Sequence, residues 1–236
     1  MFYTGSRLEP WIAEPVRDHI LASGLPLIAV TLQKAIPNFG KNIVFDAERG
    51  YLTMFRQILA GLEEIDTEFV FFCEHDVLYS LSHFDFTPPN STQVFYNRNT
   101  WKVNAETGHA LHYLCSQTSG LCASRDILLQ HYRKRVAIVE NIGFSRKQGF
   151  EPATHRRAER VDDLTSRVWM SEYPNIDIRH SHNLTSSRWR QDQFRDKRNC
   201  QGWVEAEAVP GWGVTKGRFR EFLQEVAHGA VQQAVA

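Results

Sequence analysis

The chain has only four cysteines among its 236 residues, and no two of them have the two-residue separation of a CxxC pair. This spacing argues against a structural zinc site and against a disulfide framework. Cys73 falls inside an apolar run, which predicts a buried free thiol of the kind found in a reducing compartment.

Long hydrophobic segments are also missing. No apolar run approaches the roughly 20 residues that a membrane-spanning helix needs. No signal peptide precedes Phe2, and no amphipathic basic helix indicates attachment to a membrane surface. We therefore expect a soluble, cytoplasmic protein that has no membrane partner.

The chain carries no net charge, because 27 basic residues balance 27 acidic residues. A global electrostatic field that would attract nucleic acid is thereby excluded. The distribution is uneven, however: residues 125–200 contain sixteen basic and ten acidic side chains, and residues 179–198 contain six and two. An ordinary solvated basic face accounts for this excess, and so does a binding surface for a polyanionic acceptor.

The most informative segment that is present covers residues 69–76, where five apolar residues precede Glu74, His75 and Asp76. The apolar run predicts a strand buried on both faces, as in a parallel sheet. Open α/β sheets bind ligands at the carboxyl ends of their strands, where these carboxylates lie. Carboxylates suit a hard divalent cation, which in turn suits phosphate oxygens. The segment therefore predicts a metal–diphosphate site, although the charged end of an ordinary strand has the same appearance.

Strand and helix patterns alternate in the first third of the chain, which predicts an α/β fold with a Rossmann-type, mainly parallel central sheet flanked by helices. The predicted elements here are strands at residues 2–4, 27–32 and 69–73, a helix from Pro10 or Pro15 to Gly24, a loop through Asn42, and a helix at residues 50–65. After Asp76 the pattern becomes mixed. The predicted elements there are strands at residues 94–96 and 110–114 around a loop with Trp101, a helix entered at residues 121–129, a long loop at 141–160, a helix at 162–172, a strand at 175–179 and a final helix at 216–226.

Several short motifs follow one another in a recognisable order. They are Tyr3-Thr4 after the first strand, Glu74-His75-Asp76 after the third, the small residues 119–123 followed by Arg125, the pair Asp162-Asp163, and His180 or His182 after the strand at 175–179. Together they resemble the GT-A-fold, family-2-like nucleotide-sugar glycosyltransferases over roughly residues 2–183. The resemblance implies a single GT-A-like domain over residues 1–236. Its parts are a nucleotide-sugar-binding half at 1–80, a mixed acceptor-side half at 81–200 and a C-terminal extension with a helix at 201–236.

The resemblance also implies a divalent metal ion, manganese or magnesium, on the diphosphate of the donor. Asp76 is expected to be a direct ligand, while Glu74 binds through water or holds the ribose hydroxyls. A late histidine, His180 before His182, would complete the metal site and favour manganese. The nucleotide sugar, expected to be a UDP-hexose, would contact a further set of side chains, namely Tyr3, Thr4, Arg7, Asn42, Glu74 and His75.

An inverting transferase needs one carboxylate near the acceptor hydroxyl. The resemblance points to Asp163 as this base, with Asp162 second; capping of a helix is the alternative role for the acidic pair. Glu151, in the long predicted loop, is a third candidate. The expected acceptor-binding residues are Trp101, Gly120, Arg188 and Arg190.

The expected function is transfer of a hexose from a nucleotide sugar to an acceptor hydroxyl. The basic segment suggests DNA as the acceptor, through the 5-hydroxymethylated pyrimidines that phage enzymes glycosylate in the host cytoplasm. A surface polysaccharide is the alternative acceptor. Two other classes stay open: a metal-dependent phosphoesterase or nuclease, and a binding module for nucleotides or glycans without turnover.

Overall fold

The computed structural model of the protein describes residues 1–5, 7–145, 148–155 and 160–229. These residues form four α-helices: α1 (Pro10–Leu21), α2 (Tyr51–Glu64), α3 (Arg125–Ile142) and α4 (Phe219–Ala227). They also form fifteen strands: β1 (Phe2–Tyr3), β2 (Ile28–Leu32), β3 (Lys41–Phe45), β4 (Phe69–Phe71), β5 (Cys73–Glu74), β6 (Val77–Leu78), β7 (Gln93–Asn97), β8 (Thr100–Asn104), β9 (Ala110–His112), β10 (Leu121–Ser124), β11 (Thr165–Trp169), β12 (Asn175–Arg179), β13 (Val204–Ala206), β14 (Ala208–Val209) and β15 (Gly213–Val214). No described helix is both long and apolar enough to cross a membrane.

The first sheet has the strand order β3-β2-β1-β5, and every pairing in it is parallel. Its helical crossovers are α1, between β1 and β2, and α2, between β3 and β4. This arrangement confirms the predicted Rossmann-type parallel sheet with flanking helices. Because all four strands run in the same direction, their carboxyl ends lie along one edge of the sheet.

A single extended segment joins this sheet to a second one. The backbone N–H of Phe72 donates to the carbonyl of Leu121 at 3.0 Å, and that of Cys73 donates to the carbonyl of Met1 at 2.8 Å. The first half of the segment, β4, pairs with β10 in the second sheet, whose order is β11-β7-β10-β4. The second half, β5, pairs with β1. The second sheet mixes antiparallel and parallel pairs, as expected for the later half of the chain.

A third sheet has the order β13-β9-β8-β12-β6. Its edge strand β6 follows β5 in the chain, so this sheet lies next to the end of β5. Strand β6 pairs antiparallel with β12, so that Val77 lies opposite Asp177. The N–H of Ile178 donates to the carbonyl of Asp76 at 2.8 Å. The end of β12 is therefore held beside the residues that follow β5.

Two large hydrophobic cores and a smaller third cluster lie among the described elements. Helix α2 buries Phe55, Ile58 and Leu62 completely, at the helical spacing that predicted it, in a core shared with α3. Helices α1 and α4 pack in the second large core. Complete burial of each such side chain contributes about 1.5–3 kcal/mol relative to exposure.

Several predicted elements are wrong. Residues 162–172 do not form a helix; they contain strand β11, which pairs in parallel with β7 over five residues. Trp101 lies in strand β8 rather than in a loop, and Asn42 lies in strand β3. The helix expected from residue 121 begins only at Arg125, after strand β10. In each case pairing with a distant strand overrides the local pattern.

The long loop predicted at residues 141–160 begins later than expected, because α3 continues to Ile142. Residues 146–147 and 156–159 of that prediction lie outside the described residues.

Candidate metal centre

The acidic segment lies at the carboxyl edge of the parallel sheet. Strand β5 ends at Glu74, whose position in the sheet is paired with Tyr3 at the end of β1. The Tyr3 hydroxyl donates to Glu74 Oε1 at 2.5 Å, and the Glu74 N–H donates to the Tyr79 hydroxyl at 2.8 Å. His75 and Asp76 follow directly, where the chain turns from β5 into β6. The sheet thus presents all three side chains of the predicted motif at one place.

Strand β12 brings His180 to the same place, because its register with β6 fixes where it ends. The Nε2 atom of His180 lies 3.3 Å from Asp76 Oδ2. The same oxygen accepts a hydrogen bond from Asn183 Nδ2 at 2.7 Å. Asn183 Oδ1 in turn accepts from the His180 N–H at 2.6 Å, so the two residues form one closed turn around the carboxylate.

One donor atom each from His75, Asp76 and His180 lie within 4.8 Å of one another. Ligand atoms about 2.1 Å from a common ion are separated by roughly 3–4 Å, so small side-chain rotations would close this group around a cation. Two imidazoles and one carboxylate suit manganese, iron or zinc better than magnesium, which prefers oxygen ligands. The donor set therefore fits a divalent transition metal.

The electrostatics of the three residues suit metal binding. Burial tends to raise the pKa of Asp76, but His75 and His180 oppose this and lower it to about 2, so the carboxylate is ionised. Burial lowers the pKa of His75, which keeps the imidazole neutral and able to ligate at neutral pH. Burial, together with the charge of Asp76, raises the pKa of Glu74 to about 8. Glu74 is therefore suited to hydrogen bonding rather than to holding charge.

Glu151 reaches this region from the loop after α3. Its charge contributes to the raised pKa of Glu74, and burial raises the pKa of Glu151 itself. The loop is fixed at two points: the Tyr96 hydroxyl donates to the carbonyl of Pro152 at 2.7 Å, and Arg135 Nη1 donates to the carbonyl of Gly149 at 2.6 Å. Tyr96 lies opposite Leu121 in the second sheet, and the carbonyl of Leu121 accepts the hydrogen bond of Phe72, the residue before β5.

The acidic pair that was expected to supply the base is not brought to this edge. Asp162 and Asp163 precede β11, whose first residue, Thr165, pairs with the first residue of β7. The start of β7 lies beside the end of β10, and that end lies opposite Phe69 at the start of β4. From Phe69 to Glu74 is five residues, or roughly 16 Å along the strand. The pair therefore lies at the opposite edge of the sheet, meaning the ends of the strands that are far from Glu74.

Asp162 also has a structural partner there. His131 Nδ1 lies 2.8 Å from Asp162 Oδ2, and Arg135 Nε donates to His131 Nε2 at 3.0 Å. With Nε2 accepting, the Nδ1 proton of His131 points at Asp162. The carboxylate thus anchors a buried chain of side chains on α3.

The other expected donor-binding residues are distributed around the first sheet. Thr4 is buried, and its carbonyl accepts a hydrogen bond from Gln57 Nε2 at 3.1 Å. Arg7 is exposed. Asn42 secures the preceding loop by bonds to the N–H and carbonyl of Ile36, on a strand three spacings, or roughly 14 Å, from β5.

The expected acceptor residues fall into two groups. Trp101 is only 7% exposed and Gly120 is buried, where a Cβ atom would lie 2.7 Å from the carbonyl oxygen of Asn97. Their side-chain positions therefore belong to the packed interior. Arg188 and Arg190 are exposed; the first stacks over the ring of Phe194 and the second pairs with Asp192 at 3.1 Å.

The sequence reasoning missed two contributors to the centre. Asn183 follows the two late histidines, and its amide contact with Asp76 depends on a turn that no local pattern marks. Arg49 lies before α2, and its Nη2 donates to the carbonyl of His182 at 2.8 Å. It therefore places a positive charge beside the turn that carries His180.

No protein-family model matches the chain, and no curated protein matches its sequence. Among solved structures, the chain is similar to HddC from Yersinia pseudotuberculosis, with a TM-score of 0.43 and 11% sequence identity. The similarity covers 75% of this chain and 91% of the HddC chain. A likeness at this level carries no functional argument, so function must be argued from the site itself.

Proposed function

We propose that this protein is a metal-dependent glycosyltransferase that transfers a hexose from a nucleotide sugar to an acceptor hydroxyl. The observation that carries the proposal is the group His75, Asp76 and His180 at the carboxyl edge of a parallel sheet. This edge is where α/β proteins bind nucleotides, and the donor set suits a cation that binds phosphate.

In this proposal each residue at the carboxyl edge has a separate role. A bound cation would offset the negative charge that develops on the diphosphate leaving group. Asp76, His75 and His180 would hold that cation, with Asn183 orienting Asp76 and Arg49 supporting the His180 turn. Glu74, hydrogen-bonded to Tyr3, would direct its carboxyl group to the ribose hydroxyls.

We propose Glu151 rather than Asp163 as the base that removes the acceptor proton. Asp163 lies at the far edge of the sheet, whereas Glu151 lies close enough to Glu74 to affect its pKa. The raised pKa of Glu151 brings the carboxylate closer to the range in which a general base works well at neutral pH. A base on the acceptor side gives inversion at the anomeric carbon, which NMR of the product linkage would report.

The donor is proposed to be a UDP-hexose, and the acceptor a hydroxymethylated pyrimidine in DNA. The support for DNA is the basic segment at residues 179–198, which begins at the metal centre and continues into exposed arginines. A neutral surface polysaccharide is the competing acceptor, and salt dependence separates the two.

The test is incubation of the protein with a panel of UDP-sugars and Mn²⁺, followed by measurement of released UDP. Parallel reactions contain a phosphodiester substrate, bis(p-nitrophenyl) phosphate. Release of UDP that is lost in Asp76→Asn but kept in Asp163→Asn would support the proposal. Cleavage of the phosphodiester without release of UDP would instead assign a phosphoesterase. Binding of a UDP-sugar without either reaction would assign a binding module.

A further inference from the structure

A buried lysine on strand β8 of the third sheet lies in contact with a partly exposed cysteine. Lys102 is 6% exposed, and its Nζ donates to Cys115 Sγ at 3.2 Å and to Gln117 Oε1 at 3.1 Å. The ring of Tyr113 lies on its remaining side, with Nζ 4.1 Å from the ring centroid. All of these contacts keep the lysine nitrogen against the cysteine sulfur.

Several neighbours affect the protonation of Lys102. No carboxylate among the described residues forms an ion pair with Lys102. Asp177 lies beside it in the β8–β12 register, but its carboxylate accepts hydrogen bonds from Gln117 Nε2 at 2.7 Å and from Arg179 Nη1 at 3.3 Å. Burial alone lowers the pKa of Lys102, yet the neighbouring Cys115, Tyr113 and Asp177 outweigh this and raise it. Among these neighbours, Cys115 Sγ accepts a hydrogen bond from the lysine nitrogen.

We propose that Cys115 and Lys102 form a covalent sulfur–nitrogen bond when the protein meets a hydroperoxide. In the first step the Cys115 thiolate attacks a peroxide oxygen and the O–O bond breaks. The products are a sulfenic acid and, for hydrogen peroxide, one water after protonation. In the second step the Lys102 amine attacks the sulfur and the S–OH bond breaks. A second water leaves, and the sulfenamide forms without further oxidant.

The lysine lies beside the sulfur when the sulfenic acid forms. Burial favours the neutral amine, which is the nucleophilic form. The amine needs no large movement, because Nζ is already 3.2 Å from the sulfur.

The other three cysteines lack this arrangement. Cys73, Cys122 and Cys200 are all buried, whereas Cys115 is partly exposed. Burial raises the pKa of Cys73 to about 11, which suppresses the thiolate that peroxide requires. Oxidation should therefore select Cys115.

The experiment treats the reduced protein with hydrogen peroxide, blocks the remaining thiols with iodoacetamide under denaturing conditions, and maps tryptic peptides by mass spectrometry. The bond would protect Cys115 from alkylation and Lys102 from trypsin. A single peptide covering residues 99–125 should appear, lighter by two hydrogen atoms than its reduced form. Dithiothreitol should reverse the change and restore cleavage after Lys102.

Two variants control the interpretation. Lys102→Arg keeps the positive charge but offers a weakly nucleophilic guanidinium, so dimedone should trap its Cys115 sulfenic acid several-fold more than in the wild-type chain. Cys115→Ser should abolish the linked peptide. Equal dimedone trapping in wild type and Lys102→Arg, or preferential oxidation of Cys200, would overturn the proposal. The measurement uses no glycosyl donor, so its result is independent of the proposed transferase activity.

Discussion

At the residue scale, the metal centre depends on Asp76, because one of its oxygens meets both His180 and Asn183. We expect Mn²⁺ to raise the melting temperature of the wild-type protein, since a ligand at 100 times its Kd stabilises the folded state by about 2.7 kcal/mol. Asp76→Asn keeps the size of the side chain but removes its charge, and should abolish this shift. Differential scanning fluorimetry with and without Mn²⁺ provides the measurement.

Asp163→Asn is the matched control for that substitution, because it removes a carboxylate at the opposite edge of the sheet. It should keep the full Mn²⁺-induced shift. If Asp76→Asn retains the wild-type shift, the metal does not bind at this group.

Glu151 gives a second prediction at the residue scale. If it is the base, Glu151→Gln should lower the rate of sugar transfer by roughly 10²–10⁴-fold. Donor affinity should change little, because the carboxylate is expected to face the acceptor rather than the nucleotide. Steady-state kinetics on the wild type, Glu151→Gln and Asp163→Asn would decide between the two carboxylates. Loss of transfer only in Asp163→Asn would restore that residue as the base.

His83 supplies a pH-dependent contribution to stability. It is completely buried, and Asn97 and Asn175 both donate to its Nδ1, at 3.0 and 3.2 Å. Burial lowers its pKa to about 3, against about 6.5 in the unfolded chain. Between these values the unfolded chain binds the additional proton, so stability is complete above pH 6.5 and falls as the pH decreases towards 3.

This group should contribute a slope of up to about 1.4 kcal/mol per pH unit to the free energy of unfolding. Urea denaturation at pH 7, 5 and 4 measures the slope. His83→Phe removes the titrating group within an aromatic environment and should flatten it, although the loss of the acceptor for both amides should lower stability at pH 7. An unchanged slope in His83→Phe would show that other histidines are responsible, and NMR titration of His83 in the wild type checks the same point without a variant.

At the element scale, helix α3 and the loop after it form one unit through Asp162, His131 and Arg135. Asp162→Ala should therefore lower the free energy of unfolding by about 1.5–3 kcal/mol, the range for hydrogen bonds to charged groups. Urea denaturation tests this, and the Mn²⁺-induced shift should persist. Wild-type stability combined with loss of turnover would instead indicate a catalytic role for Asp162.

The elements that could be predicted are those with a strong local pattern. Helix α2 has nearly its predicted bounds because its apolar residues recur at helical spacing, and strand β12 has its predicted bounds. The local pattern predicts a helix where strand β11 lies, because the pairing with β7 that stabilises this strand leaves no local pattern. The same pairing fixes the position of Asp163 along the strands, at the end far from Asp76. The order of the carboxylates in the sequence does not reveal this position. The contact between His180 and Asp76 was accessible only through the family resemblance.

At the scale of the whole molecule, a chain without net charge has a local excess of basic residues at 179–198. The ion pairs of Arg190 with Asp192 and of Arg198 with Asp196 reduce the charge that the segment offers to a partner. Arg188, Arg195 and Lys197 are also exposed in the same segment. A polyanion docked there would release counterions, so its affinity should fall with salt with a log–log slope of about −0.9 per phosphate contacted.

Replacing Arg188, Arg195 and Lys197 by Ala should flatten that slope by about two to three units, as expected when three phosphate contacts are lost. Arg190→Ala is the matched control, and its effect should be smaller because Asp192 already offsets its charge. The slopes are measured by fluorescence anisotropy with duplex DNA between 50 and 200 mM salt, roughly the range in which such contacts change affinity most visibly.

Hydrolysis of the donor by water gives a second measurement on the triple variant. This slow reaction should be unchanged, because the metal centre is intact. If hydrolysis falls as strongly as DNA binding, the segment covers the donor diphosphate instead. If DNA does not bind even at low salt, a neutral glycan becomes the better acceptor, because glycan binding would not need the positive charge on this side of the molecule.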